Sequence, residues 1–161
     1  ATHLAAELFN TMAGVNIVRI NYKGTPAAIV DLIGGQVQLL FINVVTVAPH
    51  VKSGKLKALA ITSEHPSVLY PGLPTVAASG LAGYESSTRQ GVFAPARTPQ
   101  PIIERLNREI VGVLNSADMK ERASRDGGET IGSSPQVLAA AVQSEIVKWG
   151  RVIKEGGIKG D

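Results

Sequence analysis

Val15-Asn16-Ile17-Val18-Arg19-Ile20-Asn21-Tyr22-Lys23-Gly24-Thr25-Pro26, running on into the helical pattern Ala27 to Ile33, is the stretch on which the fold turns. An apolar run rich in branched residues predicts a strand over 17–22. Thr25-Pro26 then supplies an N-cap and a first-turn proline for a short helix that ends at Gly34-Gly35. The turn between strand and helix holds a cation, Lys23, and a glycine, Gly24. A helix start carries unpaired backbone N–H groups that can hold an anion. Capture of a small anionic molecule is therefore the first function this stretch points to.

Upstream, apolar groups at Leu4, Ala5, Leu8, Phe9 and Met12 keep the helical period and stop on Gly14, a residue suited to a left-handed C-cap. The chain thus opens inside a helix start, and residues before Ala1 are expected. Downstream, Val37 to Ile42 is a nearly continuous apolar run of strand length that ends at Asn43, as expected of a strand covered on both faces. Pro49 to Lys52 predicts a short helix, Ser53-Gly54 a turn, and Leu56 to Thr62 a third strand. Helix and strand alternate throughout, which argues for an α/β fold with a mainly parallel sheet and crossover helices.

From Ser63 to Pro101 the texture changes, because prolines and glycines punctuate the segment too often for long elements. Pro74 to Ser79 can make a short helix there and Gly91 to Ala94 a short strand. Three amphipathic helical patterns follow, over 101–114, 117–125 and 135–154, with Glu129 to Ile131 as an edge strand before the last. There is no internal repeat, and the composition shift near residue 63 is the only candidate boundary.

Composition narrows the function classes. A chain of 161 residues can build a core without staples, and the absence of cysteine removes thiolate metal sites, cysteine nucleophiles and redox motifs. The net charge is +3 with both signs mixed along the chain, and there are only three Phe, three Tyr and one Trp. That pattern lacks the clustered cations and interleaved aromatics of a nucleic-acid binder. No apolar run approaches the ~20 residues of a membrane-spanning helix, and no stretch shows the basic start and cleavage site of a secretion signal. His3, His50 and His65 stand in separate elements without metal-ligand spacing, so no metal or cofactor is expected. No serine lies in Gly-x-Ser-x-Gly, and Glu104/Arg108 and Glu121/Arg125 have the four-residue spacing of ordinary solvated helix pairs. The residues point to binding without catalysis.

In an open parallel sheet, ligands bind beyond the carboxyl ends of the strands, where helix N-termini converge. Tyr22, Lys23, Gly24 and Thr25 occupy that edge after the first strand, and Asn43, Val44, Val45 and Thr46 after the second. Thr2 and His3 begin the first helix. Two readings stand side by side. In one, these groups line a single cleft. In the other, Thr2 and Thr25 merely cap helices, Lys23 is solvated and Asn43 terminates a strand.

Seven pieces of the chain, in order and spacing, carry a resemblance: Thr2 to Phe9, Tyr22-Lys23-Gly24, Gly34 to Gln38, Gly54 to Ala60, Leu73 to Ala77, Gly91 to Pro95 and Trp149-Gly150. Together they resemble the substrate-binding receptors of tripartite tricarboxylate transporters, the Bug proteins. That resemblance implies a type II periplasmic-binding-protein fold, in which two α/β lobes joined by crossing strands close on a small carboxylate. It also implies a periplasmic location and delivery of the ligand to membrane permease subunits. The chain looks like the later part of such a receptor, with residues 1–62 in the second lobe, 63–95 crossing back, and 96–161 supplying C-terminal helices of the first lobe. The opening strand and glycine-rich ligand loop of the first lobe have no counterpart in it.

By the same comparison Thr2, His3, Tyr22, Lys23, Gly24, Thr25, Asn43 and Thr46 fall at the interlobe cleft. Two positions depart from the family pattern: Ile42 replaces a common Asp, and Arg89 replaces an aromatic residue. Both changes favour anions, which adds Arg89 to the expected ligand contacts. Two competing functions share these features. One is the effector-binding domain of a transcription regulator, and the other a fragment of an α/β transferase that holds phosphate on the Lys23 loop. Against the second, Gly-x-x-x-x-Gly-Lys is absent around Lys23. A chain lacking part of the sheet would also expose Ile102, Ile103, Leu106, Ile110, Val113 and Leu114, and self-association is expected of it.

Overall fold

The computed structural model describes residues 2–67 and 70–158. Six helices form among them: α1 (Thr2–Ala13), α2 (Thr25–Ile33), α3 (Val44–Lys52), α4 (Gln100–Leu114), α5 (Ala117–Arg125) and α6 (Pro135–Glu155). The chain divides into two compact units, one of residues 1–88 with 152–161 and one of residues 89–151.

All fully buried side chains lie in the first unit. Ala5 and Leu8 of α1, Ala28 and Ile29 of α2, Val47 of α3, Val76, Tyr84 and Val152 make its apolar core. Tyr84 is 1% exposed, and burial of so large an aromatic requires a partner for its hydroxyl. Its Oη–H donates to the carbonyl oxygen of Ala5 at 2.9 Å, across 79 residues of sequence. Phe9 stands edge-on to Tyr84 with ring centroids 6.0 Å apart and tilts against Phe41 at 5.8 Å. One aromatic cluster therefore ties α1 to both the 37–42 and the 81–86 segments. Thr75, 3% exposed, is buried because its Oγ1 accepts from Ala78 N–H and its carbonyl oxygen accepts from Ser79.

The second unit holds α4, α5 and most of α6. None of residues 89–151 is fully buried. Within this unit Asn107 Nδ2–H donates to Ser133 O at 2.8 Å, and Ser116 caps α5 by accepting from Met119 N–H.

Most helices agree with their sequence patterns and the strands do not. Gly14 takes φ 64° after α1, as a left-handed cap should. The segments 17–22, 37–42, 91–94 and 129–131 join no ladder among the described residues, and 56–62 contributes a single parallel bridge between Ile61 and Thr75. At that bridge Ile61 N–H donates to Pro74 O and Val76 N–H to Ile61 O, each at 2.9 Å, and Ser86 N–H reaches Thr62 O at 2.8 Å. A ladder needs a neighbour in register, which no property of the strand's own sequence supplies. Val18, Ile20, Leu59 and Phe93, 56–75% exposed, accordingly lie open in segments expected to be strands. Two helix expectations also change. α3 begins at Val44, five residues before the expected Pro49, and 74–79 holds the Thr75 bridge followed by turns in place of a helix.

Candidate functional site

The expected ligand contacts come from four places, three of them in the first unit. Thr2 and His3 open α1. Thr2 is exposed, and the His3 ring makes two contacts. A terminal guanidinium nitrogen of Arg19 lies 2.8 Å from His3 Nδ1 and 2.7 Å from Nε2, and Glu7 Oε1 lies 3.3 Å from Nε2. Arg19 can only donate, so the ring nitrogen it uses must be an acceptor. The Glu7 carboxylate can only accept, so it favours a proton on Nε2. Arg19 and Glu7 thus meet the same imidazole.

Asn10 explains why Arg19 reaches this ring. Its side-chain amide donates to Ile17 O and accepts from Ile17 N–H, both at 3.2 Å, so one side chain satisfies the groups a neighbouring strand would otherwise have taken. Ile17 is thereby pinned to the third turn of α1, and Arg19, two residues on, meets His3 in the first turn. Neither Asn10 nor Arg19 was among the expected site residues. The signal was present in part, since Arg19 is a lone cation inside an otherwise uncharged branched run.

The second group is the turn into α2. Tyr22 Oη–H donates to Asp31 Oδ2 at 2.8 Å, which ties the turn to the helix it precedes. That hydrogen bond, with some desolvation and the Asp31 charge, raises the Tyr22 pKa above its ordinary value. Lys23 is exposed and forms no ion pair among the described residues. The cap of α2 is Gly24, in extended backbone, with Thr25 as the first helical residue, and no side chain accepts from the first turn. The expectation that Thr25 caps this helix is thus corrected: its place inside the first turn leaves the N-terminal N–H groups without a side-chain acceptor.

Asn43 belongs to a third group with the opposite character. It is the N-cap of α3, its Oδ1 accepting from Val45 N–H at 3.0 Å while its carbonyl accepts from Thr46 N–H at 3.2 Å. Thr46 is exposed in the first turn of that helix. An anion at α3 would therefore compete with an internal cap, whereas one at α2 would not.

Arg89 stands apart in the second unit. Its guanidinium donates to Glu145 Oε1 at 3.1 Å. The same carboxylate accepts from Lys148 Nζ at 2.9 Å and from Trp149 Nε1 at 2.5 Å, and Lys148 lies over the Trp149 ring at 4.7 Å. No hydrogen bond among the described residues joins the α1, α2 and α3 groups directly to one another. The described residues also contain no cluster of three or more metal-ligating side chains.

Comparison with known proteins supplies the family. The model of the tripartite tricarboxylate transporter family receptor matches residues 1–158. The chain belongs to that receptor family.

Among solved structures, Rpa4515 of R. palustris, solved with adipate, is similar with a TM-score of 0.78 and 36% identity over 98% of this chain and 52% of that one. The periplasmic binding protein BugD gives 0.75 and 32% over 100% and 55%, and MatC from Rhodopseudomonas palustris, with bound malate, gives 0.72 and 30% over 95% and 53%. These likenesses show the periplasmic-binding-protein fold that the resemblance implied. The path of the chain is kept even where the strand segments make no ladder. The receptor-family chain spans about half the length of the first curated relatives it matches, 46% and 48% of them.

Proposed function

We propose that this receptor-family chain forms part of an extracytoplasmic solute receptor that binds a small carboxylate and passes it, chemically unchanged, to a tripartite membrane transporter. The observation that carries this reading is the likeness along almost the whole chain to two receptors solved with dicarboxylates, adipate and malate. A periplasmic location and permease subunits as partners follow from the same reading. No described helix is long and apolar enough to cross a membrane.

The proposed contacts in the first unit are Thr2, His3, Tyr22, Lys23, Gly24, Thr25, Asn43 and Thr46. The uncapped first turn of α2 is the strongest anion acceptor of the set, because its N–H groups have no competing side chain. Lys23 adds a charge at the same turn. Residues 1–62 are proposed as one lobe's contribution, 63–95 as the crossover and 96–161 as helices of the other lobe.

Titration calorimetry with malate, adipate and a neutral sugar tests the function. Saturable binding of the carboxylates, none of the sugar and recovery of the ligand intact are expected. Binding of the sugar alone, or turnover of the carboxylate, would replace the receptor reading.

A further inference from the structure

We infer that Arg19 is a specificity-determining residue of the carboxylate site, the cation that meets the second carboxylate of a dicarboxylate ligand. This rests on the receptor reading above and deepens it. Arg89, Arg108, Arg122 and Arg125 each face a carboxylate, on Glu145, Glu109, Asp118 and Glu121 respectively. Arg19 is held differently. Its contact is the His3 ring, and no carboxylate pairs with it among the described residues, so the guanidinium is positioned without an ion pair. Glu7 stands 3.3 Å from Nε2 of the same ring, and Asn10 fixes the backbone two residues before Arg19.

One guanidinium nitrogen is engaged with His3, and Arg19 is exposed. A planar fork of five donors held in this way can still make the paired, charge-assisted hydrogen bonds that a carboxylate takes best. Lys23 lies four residues on, at the turn into α2, so the segment 19–23 brings two cations and an uncapped helix start to one stretch of chain. A monocarboxylate needs only one such anchor. The ligands solved with the two similar receptors each carry two carboxylates.

The test compares adipate with hexanoate, which has the same chain length and one carboxylate fewer, by calorimetry on the purified protein at two salt concentrations. The wild type is expected to prefer adipate by about tenfold or more, with affinity falling as salt rises. Arg19→Gln is expected to weaken adipate by about tenfold while leaving hexanoate unchanged, and to flatten the salt dependence. Arg19→Lys should keep part of the preference, since it retains the charge and loses the fork. Equal weakening of both ligands by Arg19→Gln would show a merely structural role, and an unchanged adipate affinity would show none. Either result overturns the inference and leaves the receptor reading standing. A wild type that binds neither acid overturns both.

Discussion

At the scale of single residues, Tyr84 shows how one side chain reports on the core. Burial, helped by the nearby Glu85 charge, pushes its phenol up to about 12. A phenol raised in the fold favours the protonated form, so its contribution is complete below the unfolded value near 10 and is lost as pH climbs from 10 through 12. Two units correspond to on the order of 3 kcal/mol. Tyr84→Phe removes the side-chain donor to the Ala5 carbonyl and should cost about 1–2 kcal/mol at pH 8. Urea unfolding between pH 8 and 11.5 should show the wild type losing its advantage over the variant in that window. A constant difference would mean that Tyr84 titrates normally.

His3 and Thr25 show what residue-level reading caught and what escaped it. The stretch holding them was legible, because a helix start after an apolar run is a local pattern. Their partners were not. His3 meets Arg19 sixteen positions away, and only the path set by Asn10 brings the two together. Thr25 looked like a cap because threonine caps well, but capping depends on backbone geometry, and the cap position falls on Gly24.

Among elements, the helices were legible because their determinants sit within each helix or next to it. α5 keeps the expected bounds, and α4 and α6 shift by one residue at one end. α3 is longer than the short helix expected from Pro49, because that proline lies inside the helix and not at its start. Asn43, which seemed to end a strand, starts that helix instead. Asn43→Ala should therefore destabilise the first unit by about 1 kcal/mol, the usual worth of an N-cap. Asn43→Ser, which keeps a capping oxygen, should restore most of it. Chemical denaturation measures both, and equal losses in the two variants would show that the cap contributes little. The strand segments were misjudged for a complementary reason. Alternation and branching say that a segment would suit a sheet, while a ladder depends on a neighbour that the segment does not encode.

For the whole molecule, the decisive quantity is apolar surface left in water. In the first unit Val18, Ile20 and Leu59 are 56–75% exposed, along segments whose composition suits a sheet interior. In the second unit Ile102 and Leu106 of α4 are 50% and 46% exposed, and Val113, near its end, 61%. Val137, Ile146 and Val147 along α6 are 59–73% exposed. Fully burying a large aliphatic side chain is worth about 1.5–3 kcal/mol, so at these partial exposures many of the positions must be covered together to offset the ~4–15 kcal/mol cost of association. Ile102 and Leu106, four residues apart on α4, share one helix face, and adjoining exposed apolar side chains favour association. Sedimentation velocity across a range of concentrations is therefore expected to show species heavier than the 16.8 kDa chain, with bound ANS fluorescing strongly. Leu106→Lys with Val113→Lys, placed on exposed faces where the charges stay solvated, should shift the distribution toward the monomer without lowering the unfolding midpoint. A monomer at every concentration with no ANS signal would show that these side chains are covered in solution. The strand segments would then be the first place to look, by hydrogen exchange of the 17–22 and 37–42 amides, because pairing there would protect groups that have no ladder partner in this structure.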